Sequence, residues 1–362
     1  MITVSLCMIV KNEEAILARC LDSLCELMDE IIIVDTGSTD RTKEIASRYT
    51  DKIYDFSWTS DFSEARNFSF SKATMDYIYS ADADELLDEK NQKQFALLKE
   101  AMLPEIEIVQ MKYSTKNAFN TVLNFKEEYR PKLFKRLRSF TWIDPIHETV
   151  RTEPYVFNSD VEITHLPQAL HNKRDFRGYL FAWERDGYLS KKLHNMFARE
   201  LLMTGEANDF ASALPVFLHT LKDPGATDEM KKEAVCILVH AYRKNGDVNS
   251  FFKYALTDML TTPCSEICFE LGKYFQAAED YDEAIVWYYN AAYETSPILN
   301  IHSHGDLPLR KLSDCYEKLA LSLSGRTGAE NTSLYHDYSC KSQEYRTLSL
   351  KWELPLNIEA VS

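Results

Sequence analysis

Positive charge is scarce in this chain. Lys and Arg total 41 against 56 Asp and Glu over 362 residues, a formal net charge of −15, which sets nucleic acid aside as a partner. Apolar runs of membrane-spanning length, about 18–20 residues, are missing. The N-terminal apolar run, residues 2–10, is short and meets Lys11-Asn12-Glu13-Glu14 at once, which is not the form of a signal peptide, so the expected setting is cytoplasmic. Cysteine is sparse and scattered, at positions 7, 20, 25, 236, 264, 268, 315 and 340. Cys264 and Cys268 lie one helical turn apart, but no second pair accompanies them. Reduced core thiols are therefore expected rather than zinc or a disulfide framework. The length suffices for two domains.

What is present begins with carboxylates at strand ends. Asp82-Ala83-Asp84 follows the run Met75-Asp-Tyr-Ile-Tyr-Ser-Ala81, whose aromatic and β-branched residues read as a strand. Two acids two residues apart can share one divalent cation. Mg2+ or Mn2+ takes a few carboxylates and fills its remaining positions with phosphate oxygens and water. Upstream, Glu30-Ile-Ile-Ile-Val-Asp35 is a second strand ending on an acid. Thr36-Gly-Ser-Thr-Asp-Arg-Thr42 and a helix over residues 43–49 follow it, with Gly37 at the turn and Ser38, Thr39 or Asp40 placed to cap. A first strand over residues 3–10 enters Lys11-Asn12-Glu13-Glu14 and a helix over residues 15–27. Three strand-to-helix transitions thus deliver polar residues to one rim, where open α/β sheets bind ligands.

Four blocks in this order, Ser5-Leu-Cys-Met-Ile-Val-Lys-Asn-Glu-Glu14, Ile33-Val-Asp-Thr-Gly-Ser-Thr-Asp-Arg-Thr42, Asp61-Phe-Ser-Glu-Ala-Arg-Asn67 and Asp82-Ala-Asp84, resemble family 2 glycosyltransferases of the GT-A fold. The resemblance is close over the first quarter of the chain and loose over the next. It implies a Rossmann-like mixed sheet flanked by helices and an inverting transferase using a UDP-sugar, UDP-glucose or UDP-N-acetylglucosamine, with Mn2+ or Mg2+. It implies nucleotide-sugar contacts at Val10, Asn12, Glu14, Asp35, Arg66 and Asp82. Asp35 would accept from the base, Arg66 would touch the base or the diphosphate, and Asp82 would hold the ribose or metal-bound water. Asp84 would ligate the metal with Asp82, and His147 could complete the metal site or touch the diphosphate.

An inverting enzyme needs one carboxylate to deprotonate its acceptor. No acidic doublet is evident after the fourth or fifth strand. In Phe140-Thr-Trp-Ile-Asp-Pro-Ile-His-Glu-Thr-Val150, Glu148 is the first candidate and Asp144 the second. His147 and Glu148 could instead form a structural pair, and His165 reads as a packing or capping residue. Residues 119–128 read as a strand or a flexible acceptor loop.

Near residue 170 the pattern turns helical, with breaks at Asp223-Pro-Gly225, Asn245-Gly-Asp247, Thr262-Pro263, Ser296-Pro297 and Gly325. Leu271-Gly272, Phe275, Ala284, Tyr288 and Ala291 fall at tetratricopeptide offsets, and Tyr242 and Pro263 lie about one 34-residue period upstream. A plain helical bundle is the alternative. An insertion over residues 299–306 carries His302 and His304. The expected organisation is 1–170 for the GT-A domain, 171–350 for the tetratricopeptide-like all-α domain and 351–362 for a tail.

Helical repeats stack and bind peptides, and the resemblance includes enzymes that glycosylate bacteriocin peptides. It also includes transferases of lipopolysaccharide cores. The expectation is a peptide or protein acceptor, with a possible homodimer through the helical half. A cell-surface saccharide or lipid-linked acceptor is the alternative, and a non-catalytic scaffold the third reading.

Overall fold

The computed structural model of the protein describes residues 1–115, 127–138, 140–150, 155–166, 172–259, 262–324 and 333–353. Residues 119–126 of the expected strand or acceptor loop, the break at Gly325 and residues 354–362 of the tail lie outside them. The described residues divide into two units, one running to Arg185 and the other starting at Asp186.

The first unit is built on β1 (Val4–Val10), α1 (Leu17–Leu24), β2 (Glu30–Asp35), α2 (Thr42–Ala46), β3 (Ile53–Asp55), α3 (Phe62–Phe70) and β4 (Tyr77–Ala81). It continues with β5 (Glu85–Leu86), α4 (Glu89–Ala101), β6 (Ile108–Thr115), β7 (Glu127–Lys135), β8 (Val156–His165) and α5 (Asn172–Asp186). These strands form one mixed sheet in the order β3-β2-β1-β4-β7-β6-β8-β5. β3, β2, β1 and β4 run parallel. β7 pairs antiparallel with β4 and β6, β6 parallel with β8, and β8 antiparallel with β5. This is the mixed sheet flanked by helices that the sequence implies.

The two-residue period of a strand sorts its side chains into two cores. Val4, Leu6, Met8 and Val10 pack with Leu17, Cys20, Leu21 and Leu24 of α1 and Phe95 of α4. Cys7, Ile32, Val34 and Ile78 face the other way, against Phe68, Phe70 and Ala73. Tyr79 meets Phe95 edge-on at 5.4 Å, a geometry aromatic quadrupoles favour. Register then sets the rim. Val10 lies opposite Asp35 and Asp35 opposite Asp55. Met8 lies opposite Ala81, so Asp82 to Asp84 run on past the same edge.

The second unit holds α6 (Lys191–Thr204), α7 (Ala207–Thr220), α8 (Asp228–Asn245), α9 (Val248–Met259), α10 (Ser265–Ala277), α11 (Tyr281–Tyr289), α12 (Asp306–Ser324) and α13 (Ser333–Lys351). The expected punctuation does its work here. Thr227 caps α8 by accepting from Met230, and Gly246 ends it in the left-handed region at φ 74°, where glycine is unstrained. Pro263 precedes α10 and Pro297 follows the turn that ends α11. Leu271, Ala284, Tyr288 and Ala291 are fully buried, and a Cβ on Gly272 would lie 2.6 Å from the Tyr288 ring. The repeat offsets thus mark the closest approach of α10 and α11.

The insertion after α11 is tied to α10. The Glu266 carboxylate accepts from the amides of Ile298, Leu299 and Asn300 at 2.7–2.9 Å, while His302 and His304 bond to Asp306 and to the Ala291 carbonyl. Among the described residues, no helix is long and apolar enough to cross a membrane.

Candidate active site

The first wall of the site is the pair of loops after β1 and β2. Asp35 is 1% exposed. Its Oδ1 accepts from the amides of Gly37 and Ser38, each at 2.9 Å. Its Oδ2 is buried with no hydrogen-bond partner among the described residues. Gly37 sits at φ 105°, a conformation open to glycine but strained for other residues, and this lets the chain curl back onto the carboxylate.

The β1 loop is stitched to its neighbour. Asn12 donates from its backbone to Ser38 Oγ and accepts from the Thr39 amide at 2.8 Å. Glu14 accepts from the Arg41 amide at 2.9 Å, and Asp40 accepts from the amides of Glu14 and Thr42. The Val10 carbonyl accepts from Thr36. The described contacts of Val10, Asn12 and Glu14 therefore shape the floor around Asp35.

The second wall starts at β4. Arg66 projects from α3, whose first turn is capped by Asp61. Its Nη2 donates to Asp82 Oδ1 at 2.7 Å, its Nη1 to Ser80 Oγ at 3.1 Å and its Nε to Glu148. The guanidinium lies 4.9 Å from the Trp142 ring centre. Burial works against both charges here. For Asp82 the Arg66 charge, followed by that of Lys132, more than offsets burial and holds the carboxyl well below its usual range. For Arg66, Asp82 and then Glu148 outweigh burial and keep the cation charged.

Lys132 on β7 reaches the Ser80 carbonyl at 3.1 Å and Glu85 at 2.5 Å. Burial raises the Glu85 carboxyl in spite of that partner. A bulge-free antiparallel pairing of β5 with β8 sets Glu85 opposite His165. His165 Nε2 then lies 3.0 Å from Asp84 Oδ2, and both side chains are about a quarter exposed. Tyr113 lies beside the imidazole at 5.3 Å, and the Arg130 guanidinium lies over the Tyr113 ring at 3.9 Å.

The 142–149 loop closes this wall. Asn67 exchanges two hydrogen bonds with the Trp142 backbone, and the Phe62 amide donates to the Pro145 carbonyl. Ile143 and Thr149 pair across the loop mouth. Asp144 and His147 both take positive φ, 71° and 48°, and the His147 ring lies 5.6 Å from that of Tyr179.

Asp82, Arg66 and Glu148 thus come together, and the imidazole seated on Asp84 belongs to His165. His147 lies on the loop that carries Glu148. Sequence reading gave His165 a packing or capping role and did not single out Lys132, Tyr113 or Ser80. The local signal for His165 was a strand ending on Thr164-His165.

The donor set fits a hard or borderline cation. Two ligand atoms 3.0 Å apart suit adjacent corners of an octahedron with bonds of about 2.1 Å. Asp84 and His165 offer one oxygen and one nitrogen at that spacing; among the described residues the Asp82 carboxylate, turned to Arg66, does not close a three-ligand cluster with them.

Residues 5–152 match the family model for glycosyl transferase family 2. A TPR repeat-containing protein of Synechococcus elongatus is 49% identical over 87 residues, 24% of this chain and 22% of that protein. The SPbeta prophage-derived glycosyltransferase SunS of Bacillus subtilis is 27% identical over 257 residues, 69% of this chain and 56% of the relative. The lipopolysaccharide core biosynthesis glycosyltransferase LpsC of Rhizobium meliloti is 28% identical over 157 residues, 41% of this chain and 57% of the relative. The chain thus spans from about a fifth to just over half the length of these curated relatives.

Among solved structures, S. aureus TarS 1-349 aligns with a TM-score of 0.35 at 14% identity, over 79% of this chain and 90% of that one. Glucosyl-3-phosphoglycerate synthase of Mycobacterium tuberculosis, in complex with Mn2+ and uridine-diphosphate-glucose, aligns with a TM-score of 0.27 at 24% identity, over 31% of this chain and 44% of that one. On the match over residues 5–152 and the strand-end acids that it contains, this part of the chain is a glycosyl transferase family 2 domain.

Proposed function

We propose that the protein transfers a sugar, with inversion, from a UDP-sugar to a peptide or protein acceptor in the cytoplasm, using Mn2+ or Mg2+. The observation that carries the donor half is Asp35. A carboxylate oxygen buried without a partner is costly, and here it sits at a strand end beside the loop where nucleotides bind in open sheets. The uracil imide N–H is the donor this oxygen fits. In this reading Asp82 serves the ribose or a metal-bound water, and Asp84 and His165 would hold the cation directly. The cation, when bound, supplies charge against the departing diphosphate.

Glu148 takes the acceptor proton in this reading, with Asp144 as the second candidate. The alternating small and aromatic seam of α10 and α11 supports stacked repeats, whose surfaces suit extended or helical peptides, and self-association through the same unit is part of the proposal. The likeness to LpsC favours a second reading, with a cell-surface saccharide as the acceptor. Calorimetry with UDP in Mn2+ or Mg2+, followed by a product-release screen across nucleotide sugars, tests the donor half. A protein that binds no UDP in either cation overturns it. Purified peptide and saccharide acceptors then separate the two acceptor readings.

A further inference from the structure

An Arg side chain carries five N–H donors in a rigid planar fork. In Arg66 all three nitrogens have partners: Glu148, Ser80 and Asp82. The residue is 9% exposed, and Trp142 lies over its guanidinium. Its two carboxylates come from distant parts of the chain, 16 and 82 residues away. One cation between two anions leaves the group net negative, so removing it would set two like charges facing each other.

The next residue, Asn67, holds the Trp142 backbone through both ends of its amide. Arg66 and Asn67 therefore grip the 142–149 loop from one turn of α3. The preceding first turn of α3 is fixed by Asp61, which accepts from Ser63 and Glu64 and from Arg185 at 2.6 Å.

We propose that Arg66 is a positioning residue rather than a donor ligand: it sets the spacing between Asp82 on the donor side and Glu148 on the acceptor side. The catalytic part of this inference rests on the reading that Glu148 takes the acceptor proton. The structural part does not. Lysine keeps the charge but, as a point donor, cannot hold both carboxylates in one plane.

The full-length chain is compared with Arg66→Lys, Arg66→Gln and Glu148→Gln. Amide hydrogen exchange is read with no ligand present. Arg66→Lys is expected to lose about tenfold or more of its protection in residues 142–149, while amides of β1 and β2 stay unchanged. Unchanged protection in that loop overturns the proposal whatever the protein's activity.

UDP affinity in Mn2+ is read next, with donor hydrolysis to water as the activity. UDP Kd in Arg66→Lys is expected to stay within about threefold of the parent while kcat falls about 100-fold. The double variant Arg66→Lys/Glu148→Gln is expected to be no slower than Glu148→Gln alone, because groups acting as one unit are not additive. A UDP Kd that weakens in step with kcat/KM makes Arg66 a donor ligand and overturns the proposal, as does an additive double variant. Failure of the parent to bind UDP would instead overturn the donor reading, and the exchange result would still decide the positioning role.

Discussion

Asp35 gives the sharpest test of donor recognition, because its two oxygens do different things. Oδ1 is occupied by the Gly37 and Ser38 amides, and Oδ2 has no partner among the described residues. Asp35→Ala removes both functions, so a loss of binding would mix loop distortion with lost recognition. Asp35→Asn separates them: its carbonyl can keep the two amides while its NH2 occupies the place of Oδ2. A uracil imide N–H then meets a donor where it met a charged acceptor.

A hydrogen bond to a charged group is worth about 1.5–3 kcal/mol, which is about 10- to 150-fold in Kd. Cytosine has an acceptor at the same ring position, so the variant should also narrow or reverse the preference for UDP over CDP. Calorimetry with both nucleotides in Mn2+ measures this, with a thermal scan confirming that the variant stays folded. A UDP Kd within about twofold of the parent, with the UDP-to-CDP ratio unmoved, would refute the assignment of Asp35 to the base.

Three further outcomes follow from geometry elsewhere. Asp84→Asn and His165→Ala should each weaken Mn2+ binding about 10-fold or more, chelation should remove transfer from the parent, and titration with Mn2+ checks both. Gly272→Ala places a methyl 2.6 Å from the Tyr288 ring; overpacking of about 1–3 kcal/mol should lower the melting of the helical unit while UDP binding by the first unit persists. Glu30 is held down to about 2: burial pushes it up, but Lys52, Ser5 and Thr74 outweigh burial. Because its folded value is depressed, its contribution is complete above about pH 4.5 and is lost as pH falls towards 2. Glu30→Gln should therefore cost about 1.5–3 kcal/mol at pH 7 and flatten the acid limb, as urea unfolding at pH 7 and pH 3 would show.

The strand-end acids were legible because each closes a local pattern: a β-branched or aromatic run, then an acid, then glycine or a capping residue. Asp35, Asp82 and Asp84 need no distant information to be placed on one rim. The seam of α10 and α11 was legible for the same reason, since the spacing of Gly272, Ala284 and Tyr288 follows one period.

The contact of His165 with Asp84 was not legible. It spans 81 residues, through the pairing of a two-residue strand with the end of β8, and nothing in the hydrophobic pattern encodes that register. The contact of Arg66 with Glu148 is equally long-range: it depends on Asn67 pinning the Trp142 backbone. Asp40 is a smaller lesson. It was one of three candidates to cap the second helix, but the N-cap falls at Arg41 with no side-chain cap; Asp40, one residue earlier, accepts from the amides of Thr42 and Glu14 and ties the two loops together.

That cross-stitching of the β1 and β2 loops has a thermodynamic consequence. Side chains on one loop already satisfy backbone amides on the other, at Asn12 with Thr39, Glu14 with Arg41 and Asp40 with Glu14. A nucleotide base arriving beside Asp35 would find a finished receptor and immobilise little chain. Ordering costs would be small, and the heat-capacity change would report the area of base and ribose covered rather than a folding loop. Association would run at the pace of ordinary orientational docking, and differences in affinity among nucleotides would be written almost wholly into how long each one stays.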